Sequence, residues 1–212
     1  MSRHWLFAVN VAMVGALWVS ASAAQDATPL PFPTAPEPSE CRVAPRPLDD
    51  VASVVGTPTS DQTSGAVGTP APFDPPEGSA VDEATAAAVH ATLRELFACT
   101  NAGDFLRVYA LFTDDFLRSF FVGTPFSDEV AAFIGASPQP LPDEERRVIV
   151  RLGEPRLLDD GRVGVPIVLD EPADPRSEES DYAILESVEG RWLVDEIHED
   201  SDTGETPATP QS

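Results

Sequence analysis

The apolar residues of this chain change period once, and that change limits the fold more than any other feature. From Val89 to Ile134 they recur at three and four residues, as in Val89, Leu93, Leu96 and Phe97, then Phe105, Val108, Tyr109 and Phe112. That spacing gathers side chains on one face of a helix. After a Pro-rich bend at Ser137 to Pro142 they recur at two, most cleanly in Val163, Val165, Ile167 and Leu169, the alternation of a strand with one buried face. Helices that all precede the strands do not build the alternating units of a parallel sheet. The expectation is an α+β fold, with N-terminal helices packed on a curved antiparallel sheet.

Local signals divide these two halves. Ser79 can cap a first helix, with Asp82 and Glu83 in its opening turn and an end near Asn101-Ala102-Gly103. Asp104 starts a second helix. Thr113 caps a third, Asp114 to Phe121, and Ser127 a fourth, Asp128 to Ile134. Asp159-Asp160-Gly161 and Glu189-Gly190 read as hairpin turns, and Pro166 belongs at an edge or a bulge because it has no N–H to give a ladder.

Charge excludes partners. Asp and Glu number 36 against 13 basic residues, all of them Arg, which leaves a formal charge of -23 on 212 residues. Such a chain has no face that could track phosphates, so nucleic acid is excluded, and an anionic membrane surface would repel it. The apolar content of 42 % suffices for one core.

The N-terminus reads as an export signal: Arg3 and His4, an apolar run from Trp5 to Val19, then Ser20-Ala21-Ser22-Ala23-Ala24. As a helix that run rises only about 22 Å, short of the roughly 30 Å hydrocarbon core. Residues 1–24 are thus expected to be a signal peptide, with the mature protein extracytoplasmic or secreted and not held by a membrane after cleavage. Retention of the segment as an anchor is the alternative.

Residues 25–79 form a Pro-, Thr- and Gly-rich arm, expected to be disordered because it carries too little apolar surface to offset chain entropy. Within it a short island at 40–56 is expected to be ordered, with Pro47 opening a helix and Gly56 ending it. Leu48, Val51, Ala52 and Val55 would share one face, either against the protein's own domain or as a docking segment for a partner. Cys41 in the island and Cys99 in the first helix are read as a disulfide, since the chain has only two cysteines and an export signal. Residues 201–212 are read as a flexible acidic tail.

The stretch Leu93 to Phe116 (LRELFACTNAGDFLRVYALFTDDF) and the closing strand Gly190 to Ile197 (GRWLVDEI) resemble the nuclear transport factor 2-like superfamily, especially its SnoaL-like members. The resemblance covers about 80–200. It implies a cone-shaped domain in which a conical pocket opens between helices and sheet, and it extends to isomerases, dehydratases, epoxide hydrolases and members without chemistry. Fold alone does not choose among these.

Candidate residues follow from chemistry. Asp115 beside Asp114 could serve as a general base, although both suit the first turn of a helix and Arg118 stands close by. Period two places Trp192, Val194, Glu196 and His198 on one face of the last strand, which would give a pocket an aromatic wall, a carboxylate and an imidazole. Tyr109 and Tyr182 are the two tyrosines that could place a phenol in the pocket. The candidates are therefore Asp115, Glu196 and His198 for catalysis and Tyr109, Tyr182 and Trp192 for ligand binding. His90 reads as an ordinary helix residue. No HxxxH, HExxH or CxxC occurs, and Asp200, Asp202 and Gly204 do not complete a calcium loop, so no metal or cofactor is expected. The leading reading is a non-catalytic domain holding a small apolar ligand or a protein partner, as a monomer or homodimer. The alternatives are a pocket enzyme doing acid-base chemistry and a cell-surface interaction module working through 40–56.

Overall fold

The computed structural model describes residues 33–56, 73–170 and 179–199. The signal segment, the acidic tail and most of the arm lie outside the described residues. Among the described residues there are five α-helices, which precede every strand but the two-residue β1: α1 (Leu48–Val55), α2 (Glu83–Asn101), α3 (Phe105–Tyr109), α4 (Asp114–Phe120) and α5 (Asp128–Ile134). The strands are β1 (Ser79–Ala80), β2 (Val148–Leu152), β3 (Arg156–Leu157), β4 (Val163–Asp170), β5 (Glu179–Val188) and β6 (Arg191–Glu199). They make one six-stranded antiparallel sheet ordered β1-β3-β4-β5-β6, with β2 on the same edge of β4 as β3. The fold class is α+β.

Three helix starts use the residue type that satisfies free N–H groups. Asp104, Thr113 and Ser127 each accept a hydrogen bond from the third residue onward. The cap of α2 is Asp82, which takes the Thr85 N–H, rather than Ser79; Ser79 is drawn into β1 opposite Leu157. Gly103 ends the turn after α2 at φ 64°, and a Cβ there would collide with the Gln139 carbonyl, so only glycine fits. Glu189 and Gly190, both at positive φ, close the β5–β6 hairpin in two residues.

Pro166 lies in β4, in the middle of the sheet, yet costs no ladder bond. It faces the break between β2 and β3, where Gly153 N–H donates to its carbonyl at 2.8 Å; β2 has its own irregularity farther along, at Val150, opposite Val168 and Leu169. The second irregularity is in β6: Ile184 pairs with Glu196 and Leu185 with Val194, so Asp195 is an inserted residue.

The main core lies between the helices and one face of the sheet. Val163, Val165, Ile167 and Leu169 of β4, Ala183 and Leu185 of β5 and Val194 of β6 meet Val89, Leu93, Leu96 and Phe97 of α2 there. The opposite face carries a smaller cluster of Leu158, Tyr182 and Ile184, covered by Phe73. A Cβ on Gly164 would run into the Tyr182 hydroxyl; glycine lets that ring lie flat across β4.

Order begins before residue 40, contrary to the composition-based reading. Thr34 exchanges two hydrogen bonds with Ile149 on the outer side of β2, and Pro36 is fully buried. The segment is then fastened to α2 by a Cys41–Cys99 disulfide, by Arg94 paired with Glu40 at 2.6 Å, and by Glu95, whose carboxylate accepts the N–H groups of Arg42 and Val43. The Arg94 hydrogen bond holds the Glu40 carboxyl below its usual range. Helix α1 turns its apolar face inward: Val51 is fully buried, and Leu48, Val54 and Val55 pack against the core. The island therefore packs on its own domain, and the face that a docking segment would offer is already used.

Asn101 joins these parts. Fully buried at the end of α2, its side chain donates to the carbonyls of Pro36 (3.0 Å) and Arg147 (3.1 Å) and accepts the Arg147 N–H (2.8 Å). Replacing it with Leu removes the partner of one buried and two part-buried backbone groups. The expected loss is about 3 kcal/mol or more, read from urea denaturation; a loss below about 1 kcal/mol would show that Asn101 does not hold these segments together.

Candidate functional site

Between α2, α3 and α4 and the ends of the strands lies a cavity of about 440 Å³. Leu96, Phe97, Val108, Phe105, Phe112 and Phe120 supply most of its wall, with Leu169 and Ile197 from the sheet. Tyr109 stands among Phe105, Phe112, Phe120 and Phe121, its ring centroid 5.7 to 6.5 Å from each of theirs. Its side chain is 95 % shielded, being 5 % exposed, and among the described residues its hydroxyl has no hydrogen-bond partner. Burial pushes the phenol up to about 12, so at neutral pH Tyr109 is a neutral O–H donor lining an apolar space.

Polar groups enter this wall from three places. Thr100, Gly103 and Asp104 come from the end of α2 and the turn after it, Arg147 from the approach to β2, and Asp181 from the start of β5. Asp104 is committed twice over, capping α3 and pairing with Arg107 at 3.4 Å. Asp181 shares the inner face with Ala183 and Leu185 by period two. None of these polar residues was singled out by the sequence. They flank loops and turns, where charged residues are commonplace; hydrogen bonds with Asn101 hold the backbone of Arg147 at the cavity.

The residues that the sequence did single out are divided among three places. Tyr109 lines the cavity. Asp115 is on the surface, its side chain 81 % exposed and paired with Arg118, in a separate open cleft with Arg46 and Arg191. Glu196 and His198 lie on the outer face, because the extra residue Asp195 reverses the parity of β6. Trp192, Val194 and Ile197 face the core, whereas Glu196 opposes Ile184 and His198 opposes Tyr182. The expected sharing of one face by Trp192, Glu196 and His198 is thus corrected by a bulge. Tyr182 is likewise on the outer face, and Trp192 packs on the core without reaching the cavity wall. His90 donates a hydrogen bond from Nε2 to the Gly153 carbonyl, 3.0 Å away, as part of the framework.

On the outer face these groups form a network. Arg162 binds Asp160 and Asp195 at 2.7 Å and also Glu196; Asp195 accepts the Thr113 hydroxyl at 2.7 Å. His198 lies 2.8 Å from the other Glu196 oxygen and stacks on Phe73, ring centroids 3.8 Å apart and nearly parallel. Every carboxylate here is matched by Arg162 or a neighbouring donor, and the cavity beside His198, walled by Phe73, Ile167 and Tyr182, does not include Glu196. Among the described residues no group of His, Cys, Asp and Glu could hold a metal ion, and no helix is long and apolar enough to cross a membrane.

No protein-family model matches the chain, and no match was found among curated proteins or solved structures. The site is therefore defined by its geometry.

Glu196 yields a pH test. Burial raises its carboxyl, but the hydrogen bonds from Arg162 and His198 outweigh that and leave it below 4.5. A carboxyl lowered by folding contributes stability above its unfolded value, and loses it as pH falls through the folded value. Glu196→Gln, which binds no proton, should therefore flatten the fall of melting temperature below about pH 4.5 without abolishing it, because other lowered carboxyls remain. An unchanged slope would mean that the Arg162 pairing does not favour the ionised form.

Proposed function

We propose that this protein is an exported, non-catalytic binding protein that holds one small, largely apolar molecule between its helices and sheet, with a hydrogen-bond acceptor of the ligand received by Tyr109. The observation that carries this reading is the phenol itself: on a residue only 5 % exposed, it has no hydrogen-bond partner among the described residues, stands among four Phe rings and opens on a cavity of about 440 Å³. Pockets of this kind orient an apolar ligand through a few placed polar groups. The arrangement is compatible with the conical pocket implied by the nuclear transport factor 2-like resemblance. Export is supported by the N-terminal pattern and by the Cys41–Cys99 disulfide, which suits an oxidising compartment. Catalysis has less support, since Asp115, Glu196 and His198 do not converge with Tyr109.

Two neutral dyes test it. Prodan carries a ketone, whereas N-phenyl-1-naphthylamine has no carbonyl; both should bind with a rise and blue shift of fluorescence. Tyr109→Phe should weaken prodan by about five- to tenfold, the loss of one hydrogen bond, and leave the naphthylamine unchanged. Val108→Trp, which fills the cavity, should abolish both. Dye binding that survives Val108→Trp, or none in the wild type, would overturn the reading.

A further inference from the structure

Phe120 lines the cavity wall and is also 55 % exposed at the surface. Next to it Val122 is 60 % exposed, and Phe133 on α5, 63 % exposed, packs 5.0 Å from the cavity residue Phe105. A large apolar side chain that stays in water gives up the burial that would stabilise it, and clustered exposed apolar side chains mark a contact surface. Rings run in contact from Phe133 through Phe105, Tyr109 and Phe120, so an aromatic path joins the exposed rings to the cavity wall.

We propose that this aromatic mouth docks transiently on a neutral, zwitterionic lipid surface, from which the apolar ligand passes directly into the cavity. This rests on the binding reading given above and adds where the ligand comes from. A molecule matched to this wall is sparingly soluble in water, and an apolar path to an exposed patch suits pickup from an apolar phase. Charge narrows the surface. At -23 the chain is repelled by anionic lipids, and a second copy would bring the same charge, with Asp128 and Glu129 opening α5 beside the patch. A zwitterionic surface carries no such penalty, and exposed Phe side chains are the kind that settle at the lipid boundary.

The test uses phosphatidylcholine vesicles loaded with pyrene. The protein should float with the vesicles and take up pyrene faster than pyrene escapes unaided, at a rate that rises with vesicle concentration. Phe133→Ser with Val122→Ser alters the patch and neither cavity-wall residue. It should lower vesicle binding at least about tenfold and return uptake to the unaided rate, while prodan binding stays as in the wild type. Wild-type protein that binds prodan yet neither floats nor accelerates uptake would overturn this inference and spare the cavity reading. Self-association lost in the double variant, without vesicle binding, would assign the patch to a second copy and overturn it too. Absence of prodan binding would fell the cavity reading first and this one with it.

Discussion

A single buried amide fixes where the chain segments of this protein meet. Asn101 closes α2, and its side chain holds the carbonyl of Pro36 on one side and both backbone groups of Arg147 on the other, while its own carbonyl receives the Leu141 N–H at 2.8 Å. Asn101 and Pro36 are fully buried, so the groups that meet there need their partners, and the amide sets the position of the N-terminal segment, the connection into β2 and the end of α2 together. The polar end of the cavity is built from these same pieces: Thr100, Gly103, Asp104 and Arg147 are neighbours of the groups that Asn101 ties. The disulfide two residues earlier in α2 acts on the unfolded chain by closing a long loop; Asn101 sets the geometry of the folded one.

The sheet has a comparable point at Asp195. An extra residue in β6 turns half the strand over, and the carboxylate it carries is held by the Thr113 hydroxyl and by Arg162. The bulge thus connects the cap of α4 to the hairpin at Asp160. It also decides what each face of the sheet contains: the inner face keeps Trp192, Val194 and Ile197, and the outer face receives Glu196 and His198. Glu196 and His198 are thereby kept away from the cavity, whose aromatic wall surrounds one phenol.

What could be read from the sequence were features set by neighbours along the chain. Thr113 and Ser127 cap helices because their hydroxyls reach the N–H three residues on, and Glu189-Gly190 turns because two positive φ values fit a two-residue hairpin. The two periods gave the helical layer and the sheet, and the two cysteines their bond. Features set by distant residues could not be read. The parity of β6 depends on Arg162 and Thr113, so period two carried Glu196 and His198 to the wrong face. Pro36 belongs to a Pro- and Thr-rich stretch whose composition is that of a linker, and the contacts that hold it, among them the Asn101 side chain 65 residues away donating to its carbonyl, come from distant residues. Asp181 and Arg147 gave no signal, whereas Tyr109 did, as one of the two tyrosines, an uncommon residue on an apolar helical stripe.

Each long edge of the sheet is met at one position by chain that is not itself strand. Thr34 bonds along the outer side of β2, and Leu111 and Thr113 bond to Val194 along the outer side of β6, while the short β3 is covered by β1. A bare edge is a template on which another polypeptide can add a strand, and repeated addition is how soluble proteins become fibrils. Here the template is covered at its most apolar positions by segments fastened elsewhere, one of them by a covalent bond. The protein can therefore expose a greasy mouth at one end of the fold without inviting the stacking that exposed apolar residues promote when an open strand lies beside them.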